Sequence, residues 1–484
     1  MVAAFAASRL VTVAVPSERE YDEGVYLLSA RAVNHGHELF SDVFSSQPPA
    51  FLESLALSMR VAGDSLETGR VFILCFGLLA LGSIASIARR LYGIWAAPVA
   101  AAGLAIGATF LDLSHLVQAE LPSLAIALAS LAACLEARAH SWSRGWLIAT
   151  GALFALAALF KLFIVPFAVP LAFLLLLAPE RDDDPAWSLD GRGLLLLQRA
   201  AGRMLLVAGG AVAIGCIPLF CYDIGALFEQ TVSFQLVKHE VYELNRQANL
   251  MRCWKHIASE PTLAISAAVG GLWLIRHNRL IFAWLLGWLV ASLFVLMEQT
   301  PLFWRHFVLL APIVVLAATS LLSPLTDQRG LSSALLVTMS LLGVWSYPSI
   351  ATPAGVFPLI PQRQSEETQA TSIRAVAAWI GEHSDAGDLV AGDDPMAIYL
   401  AGRQSPPGLC DSSRARINSQ SLTLAIAREQ SATARIIVLR DDGRLSRLPG
   451  YPAWLAKNYS RENAPPGTLR SFWVRTAAPG HTNE

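Results

Sequence analysis

Apolar runs about as long as a membrane-crossing helix alternate with short polar breaks through residue 347. A spanning helix needs about 20 apolar residues, fewer where helices are short or broken. Eleven segments fit: 1–15, 71–88, 94–111, 116–135, 146–160, 162–178, 204–222, 261–275, 280–297, 306–322 and 331–347. The first is short. Arg9 interrupts it and no cationic stretch precedes it, which argues against a secretory signal and for a first helix entered partway. The run 146–178 is too long for one span, because 33 helical residues measure roughly 50 Å against a hydrocarbon core of about 30 Å. Lys161 therefore divides it into two spans. Pro166 and Pro170 make the second irregular.

Orientation follows from basic residues in short loops. Arg89 and Arg90, Arg138 with Arg144, the stretch holding Arg181, Arg192, Arg199 and Arg203, then Arg276 with Arg279, and Arg329 all fall on one side when eleven spans are counted. Merging the spans at Lys161 would put two of these loops on the wrong side. The reading places the N-terminus in the cytoplasm and the tail outside a plasma or inner membrane. The outer loops are then 16–70, 112–115, the turn at 161, 223–260 and 298–305.

Composition narrows the class. Hydrophobic residues make up 54% of the 484 and charged residues 15%, against about 25% charged in a soluble domain. This excludes disorder and an ordinary soluble enzyme. Formal charge is −1, so no basic field suggests nucleic acid. Six cysteines form no CxxC pair and read mostly as buried thiols; Cys221 and Cys253, on one side of the membrane, are the one candidate disulfide.

The outer loops carry the unusual residues. Asp22 and Glu23 stand just after the first span, where a helix should run to about Asn34 with Asp22 as its N-cap. Taken alone, the two acids read more simply as caps than as catalysts. Pro48-Pro49 can start a second helix, with Phe51, Leu55 and Met59 on one face, lying flat in the interface or capping the bundle. Asp112, His115 and Glu120 surround the start of the fourth span, and Lys161 sits at the junction between the spans 146–160 and 162–178. Lys238, His239, Glu240, Arg246, Arg252, Lys255 and His256 fill the large loop, and Glu298, Arg305 and His306 flank another junction. Singly, each is explained by snorkelling at a helix end. Together, ionisable groups at one membrane level imply a shared cavity. There a carboxylate can act as general base on an acceptor hydroxyl, while Lys and Arg bind a phosphate and stabilise its departing charge. Glycosyl transfer from a polyprenyl phosphate needs this arrangement and no nucleotide-binding domain; neither GxGxxG nor a P-loop is present.

The order Asp22-Glu23, Ala30, Ala32, Gly36, Leu39-Phe40-Ser41-Asp42, Pro48-Pro49, Gly63 and Arg70 resembles the GT-C glycosyltransferases of the family 39 type. These include protein O-mannosyltransferases and aminoarabinose transferases acting on lipid A. The resemblance continues with Ala119-Glu120-Leu121-Pro122, Leu159-Phe160-Lys161, Arg305-His306-Phe307 and Leu310-Ala311-Pro312, over roughly residues 1–325. It implies Asp22 as catalytic base accompanied by Glu23. Lys161, Arg305 and His306 would lie near the lipid phosphate, and Glu120 would line the cavity. Asp42 would orient the acceptor or a metal ion, with His239 also facing the cavity. No cofactor or resident metal is expected. Aminoarabinose transferases carry a Lys before the paired prolines. Gln47 stands there, so phosphate contact falls to Lys161 and Arg305.

Beyond residue 347 a linker with Pro348, Pro353, Pro358 and Pro361 leads to a small α/β domain, 348–484. An amphipathic helix should cover 366–382 with Ile373, Val376, Ala377 and Ile380 inward. Strands should run near 389–391, 436–439 and 471–474, with a turn at Gly392-Asp393-Asp394-Pro395. The expected protein is thus an α-helical GT-C-like membrane domain, 1–347, with an outer helix pair and an extracytoplasmic α/β domain. It would move a sugar from a polyprenyl-phosphate donor to an outer glycan, lipid or protein acceptor with inversion, in cell-envelope glycosylation. A flippase for an amphiphilic substrate is the alternative, but it would hold polar groups near the midplane and show two related halves.

Overall fold

The computed structural model describes residues 2–10, 13–14, 21–177, 193–322, 363–440, 443–465 and 468–476. A helix occupies each expected span inside this range. The segment 331–347 and the expected domain boundary lie outside it. Among the described residues, five helices are long and apolar enough to cross a membrane: Leu66–Tyr92, Glu120–Ala139, Gln198–Cys221, Arg279–Glu298 and Trp304–Leu322. A bent pair, Arg246–Ser259 with Leu263–His277, makes up to a sixth. The other apolar helices are shorter: Ala96–Ile106, Arg144–Phe160 and Leu162–Leu176. The chain is a multi-pass membrane protein in which short helices interleave with full spans. Ala96–Ile106 stops at Gly107, so the span expected at 94–111 is broken there.

Lipid is as apolar as the side chains it meets, so close packing holds such helices together, helped by small residues. Helix Arg144–Phe160 shows this. A Cβ on Gly151 would fall 1.8 Å from the Val207 carbonyl oxygen, and one on Gly210 would fall 2.1 Å from that of Ile148. The two glycines let these backbones touch. The helix ends at Lys161, whose backbone is extended (φ −163°, ψ 128°), and a 3-10 turn with Pro166 follows. Arg9 is drawn inward, donating to the Leu111 carbonyl at 3.1 Å.

The first loop forms helices Tyr21–Asn34 and Pro49–Ala62. Asp22 lies within the first turn of its helix rather than capping it, so its carboxylate is free to pair elsewhere. Phe51, Leu55 and Met59 are buried together, so the second helix caps the bundle with that face. All six cysteines are free thiols. Cys253 is buried and Cys221 exposed, which removes the disulfide considered above.

Helix Arg363–Glu382 precedes a four-stranded sheet of β1 (Val390–Gly392), β2 (Ile436–Arg440), β3 (Tyr459–Glu462) and β4 (Arg470–Arg475), in the order β1-β2-β4-β3. β1 and β2 are parallel, with helices in the crossover; the other pairs are antiparallel. Ile373, Val376, Ala377 and Ile380 are buried. The stretch after β1 is more than a turn. Asp393 is fully buried and accepts the Arg444 and Leu445 N–H groups at 3.0 Å each. Asp394 accepts from Arg470 Nε at 2.5 Å. Burial raises the Asp393 carboxyl above its ordinary range, and the backbone donors oppose that.

This C-terminal unit packs on helix Tyr21–Asn34. Gly24 faces the start of helix Pro395–Leu400, where an added Cβ would lie 2.4 Å from the Met396 nitrogen. Arg31 donates to the carbonyls of Tyr399 (3.0 Å) and Arg403 (2.9 Å). The Tyr21 hydroxyl accepts the Ser412 N–H at 2.8 Å, and Arg444 lies 3.5 Å over the Tyr21 ring. The helix that carries Asp22 is therefore held between the bundle and the C-terminal unit.

Candidate active site

Glu120 is the centre of the site. It opens helix Glu120–Ala139, where the helix N-terminus favours an anion, and it is fully buried. Its Oε1 lies 2.7 Å from Lys161 Nζ, 2.9 Å from Arg305 Nε and 3.8 Å from His306 Nε2. Three side chains from two separate chain segments thus converge on one oxygen. Lys161 reaches it because helix Arg144–Phe160 ends there, and Ser123 donates to the Lys161 carbonyl at 3.1 Å. Arg305 and His306 come from the 3-10 turn Trp304–Leu309. The Phe303 N–H donates to His306 Nδ1 at 3.4 Å, turning Nε2 toward Glu120.

Arg305 also pairs with Asp22 and donates to Gln118 Oε1 at 3.4 Å. Asp22 is the accessible member, its side chain 33% exposed while those of Lys161, Arg305 and His306 are 11% or less. A reactant can therefore reach Asp22 while the cations behind it stay fixed. Such charges are costly in a membrane protein unless they face a cavity or one another, and these face one another.

Lys238 adds a further cation. It sits on helix Phe234–Val241, donates to Gln235 Oε1 at 3.2 Å, and has Lys161, Asp22, Arg305 and Asp411 as its charged neighbours. Burial, then the Lys161 charge, lowers its ammonium to about 8. Lys161, Arg305 and Lys238 thus stand among Asp22, Glu120 and Asp411, and cations so grouped beside the accessible Asp22 can hold an anion. Nothing in the spacing of Lys238 set it apart from its neighbours in a polar loop.

The remaining candidates lie elsewhere. Glu23 points away from this centre. It is fully buried against Arg70, with both oxygens paired at 2.8 Å, and it accepts the Val117 N–H at 3.0 Å. That arrangement fastens the loop helix to the span Leu66–Tyr92. Asp42 is half-exposed, accepts the Glu38 N–H at 3.0 Å and lines a separate groove. His239 lies in helix Phe234–Val241, with its side chain outside the described residues. Among the described residues no three His, Cys, Asp or Glu side chains gather as metal ligands.

The structure is similar to that of ArnT from Cupriavidus metallidurans bound to undecaprenyl phosphate, with TM-score 0.62 and 16% identity over 99% of this chain and 97% of that one. The chain has the GT-C fold. It also resembles the apo form of that ArnT, with TM-score 0.55 and 14% identity over 99% and 98% of the two chains. The mycobacterial arabinofuranosyltransferase AftD is similar too, with TM-score 0.51 and 14% identity over 99% of this chain and 40% of AftD. The family model for dolichyl-phosphate-mannose-protein mannosyltransferases matches residues 46–184. No curated protein sequence matches the chain. The chain thus has a GT-C fold with a C-terminal sheet region, and residues 46–184 are similar to the mannosyltransferase family.

Proposed function

We propose that the protein is a glycosyltransferase that moves a sugar from a polyprenyl-phosphate carrier to an acceptor hydroxyl, with inversion. The observation that carries this is the accessible Asp22 carboxylate set beside the buried cations Lys161 and Arg305. Asp22 removes the proton from the acceptor hydroxyl. The oxygen attacks the anomeric carbon opposite the phosphate, whose C–O bond breaks with its electron pair leaving on the phosphate. Lys161 and Arg305 neutralise that charge in place, and His306 adds a polar neighbour. Glu120 holds the two cations in register. Glu23 supports Asp22 through its grip on Arg70. The products are the inverted glycoside and polyprenyl phosphate, and the proton passes from Asp22 to bulk.

The site fits the extracytoplasmic face of a plasma or inner membrane, with the C-terminal unit from 348 onward on that side. Basic residues concentrate in the loops at the opposite ends of the helices. Fold likeness to ArnT, whose structure is bound to undecaprenyl phosphate, supports the donor class.

The test is sugar release from a radiolabelled polyprenyl-phosphate sugar panel by protein in nanodiscs, beside Asp22→Asn. Turnover lost in a folded Asp22→Asn is the expected result. No turnover with any donor, together with lipid scrambling in vesicles, would overturn the reading in favour of a flippase.

A further inference from the structure

A groove of about 420 Å³ opens between the first loop, the segment 229–237 and the C-terminal unit. Its size falls within the roughly 300–1,000 Å³ of ordinary ligand sites. Its backbone is unusual. Phe40 (φ 70°) and Gln420 (φ 61°) are non-glycine residues in the left-handed region, and both line it. Glu229–Ser233, on a third segment, is a π-helical turn. Such conformations persist only where surrounding structure holds them, and they gather at functional sites.

Chemistry selects the occupant. The one basic lining residue, Arg416, donates to the carbonyls of Gly408 (2.8 Å) and Asp411 and lies 4.0 Å over the Phe44 ring. Its charge is already engaged. Asp42 and Glu229 leave a negative wall, which repels a phosphorylated or carboxylated acceptor. Beside them stand serine hydroxyls, and the apolar side chains of Val237 and Ile426 also line the groove. Carboxylates that accept from hydroxyl groups, next to apolar faces for C–H surfaces, match a neutral sugar chain.

The groove also adjoins the reactive centre. Val237 lines it, and the next residue, Lys238, has Lys161 and Asp22 among its charged neighbours. On the other side, Arg416 holds the Asp411 carbonyl, and Tyr21, the neighbour of Asp22, donates to the Asp411 carboxylate at 3.4 Å. We propose that this groove seats the acceptor, and that the acceptor is an uncharged oligosaccharide. The proposal rests on the transferase reading above.

The experiment measures binding of a panel of neutral tetrasaccharides to the full chain in nanodiscs, with no donor present. Neutral peptides and a phosphorylated disaccharide run alongside. At least one tetrasaccharide should bind saturably, and Val237→Trp, which fills the groove, should weaken it by about tenfold or more. Ile426→Trp fills it from the other wall and serves if the first variant does not fold. Preference for the peptides or the phosphorylated sugar, or tetrasaccharide binding unchanged in both variants, would overturn the proposal. Groove-dependent binding without turnover of any donor would refute the transferase reading and keep the groove. Turnover without groove dependence would do the reverse.

Discussion

Neutralising Glu23 should unfold the protein rather than merely silence it. Glu23 and Arg70 are 0% and 1% exposed and share two contacts of 2.8 Å. Their attraction, roughly 4 kcal/mol at 4 Å with an effective dielectric of about 20, is largely offset by the cost of burying both charges. The pair as a whole therefore contributes little. Removing one partner strands the other charge, at about 3–5 kcal/mol. Glu23→Gln and Arg70→Met should each show that loss. Glu23→Leu with Arg70→Met strands no charge and leaves the Val117 N–H without its acceptor, at about 1–3 kcal/mol. The double variant should thus be more stable than either single one, although additive singles would total about 6–10 kcal/mol. The assay is unfolding in mixed micelles followed by intrinsic fluorescence, with turnover measured on the same samples. A Glu23→Gln protein that unfolds like the wild type yet turns over no donor would refute this and place Glu23 in the chemistry. A double variant as unstable as the summed singles would show that the pair is not coupled.

Two further outcomes follow from the geometry. Gly24→Ala must move helix Pro395–Leu400, since the new Cβ would lie 2.4 Å from the Met396 nitrogen. Such overpacking costs about 1–3 kcal/mol, and protease sensitivity of the C-terminal unit should rise with the loss of turnover; unchanged proteolysis would refute the clamp. Lys238 loses its charge as pH rises through about 8. Donor affinity should then fall across that pH in the wild type, stay level in Lys238→Arg, and be low at every pH in Lys238→Gln. A wild-type affinity flat from pH 7 to pH 9 would remove Lys238 from the anion site.

The membrane architecture was legible along the chain because apolar length and helix breaks are local properties. Lys161 illustrates this: too many apolar residues surrounded it for one span, and the helix does end there. The helices around Phe51 and Ile373 were visible as periodic faces, and the strand at 436–439 as a short apolar run. Glu120, Lys161, Arg305 and His306 were recognised as separate charges at one membrane level. Only packing of distant segments decided that three of them meet one Glu120 oxygen. The adjacent acids Asp22 and Glu23 look alike in sequence. A helix turns successive side chains by about 100°, so one faces the accessible centre and the other faces Arg70. The place of Lys238, the acceptance of backbone N–H groups by Asp393, and the groove between the loops and the C-terminal unit likewise carry no sequence period. They arise where surfaces far apart in the chain come into contact, and only the tertiary structure could determine them.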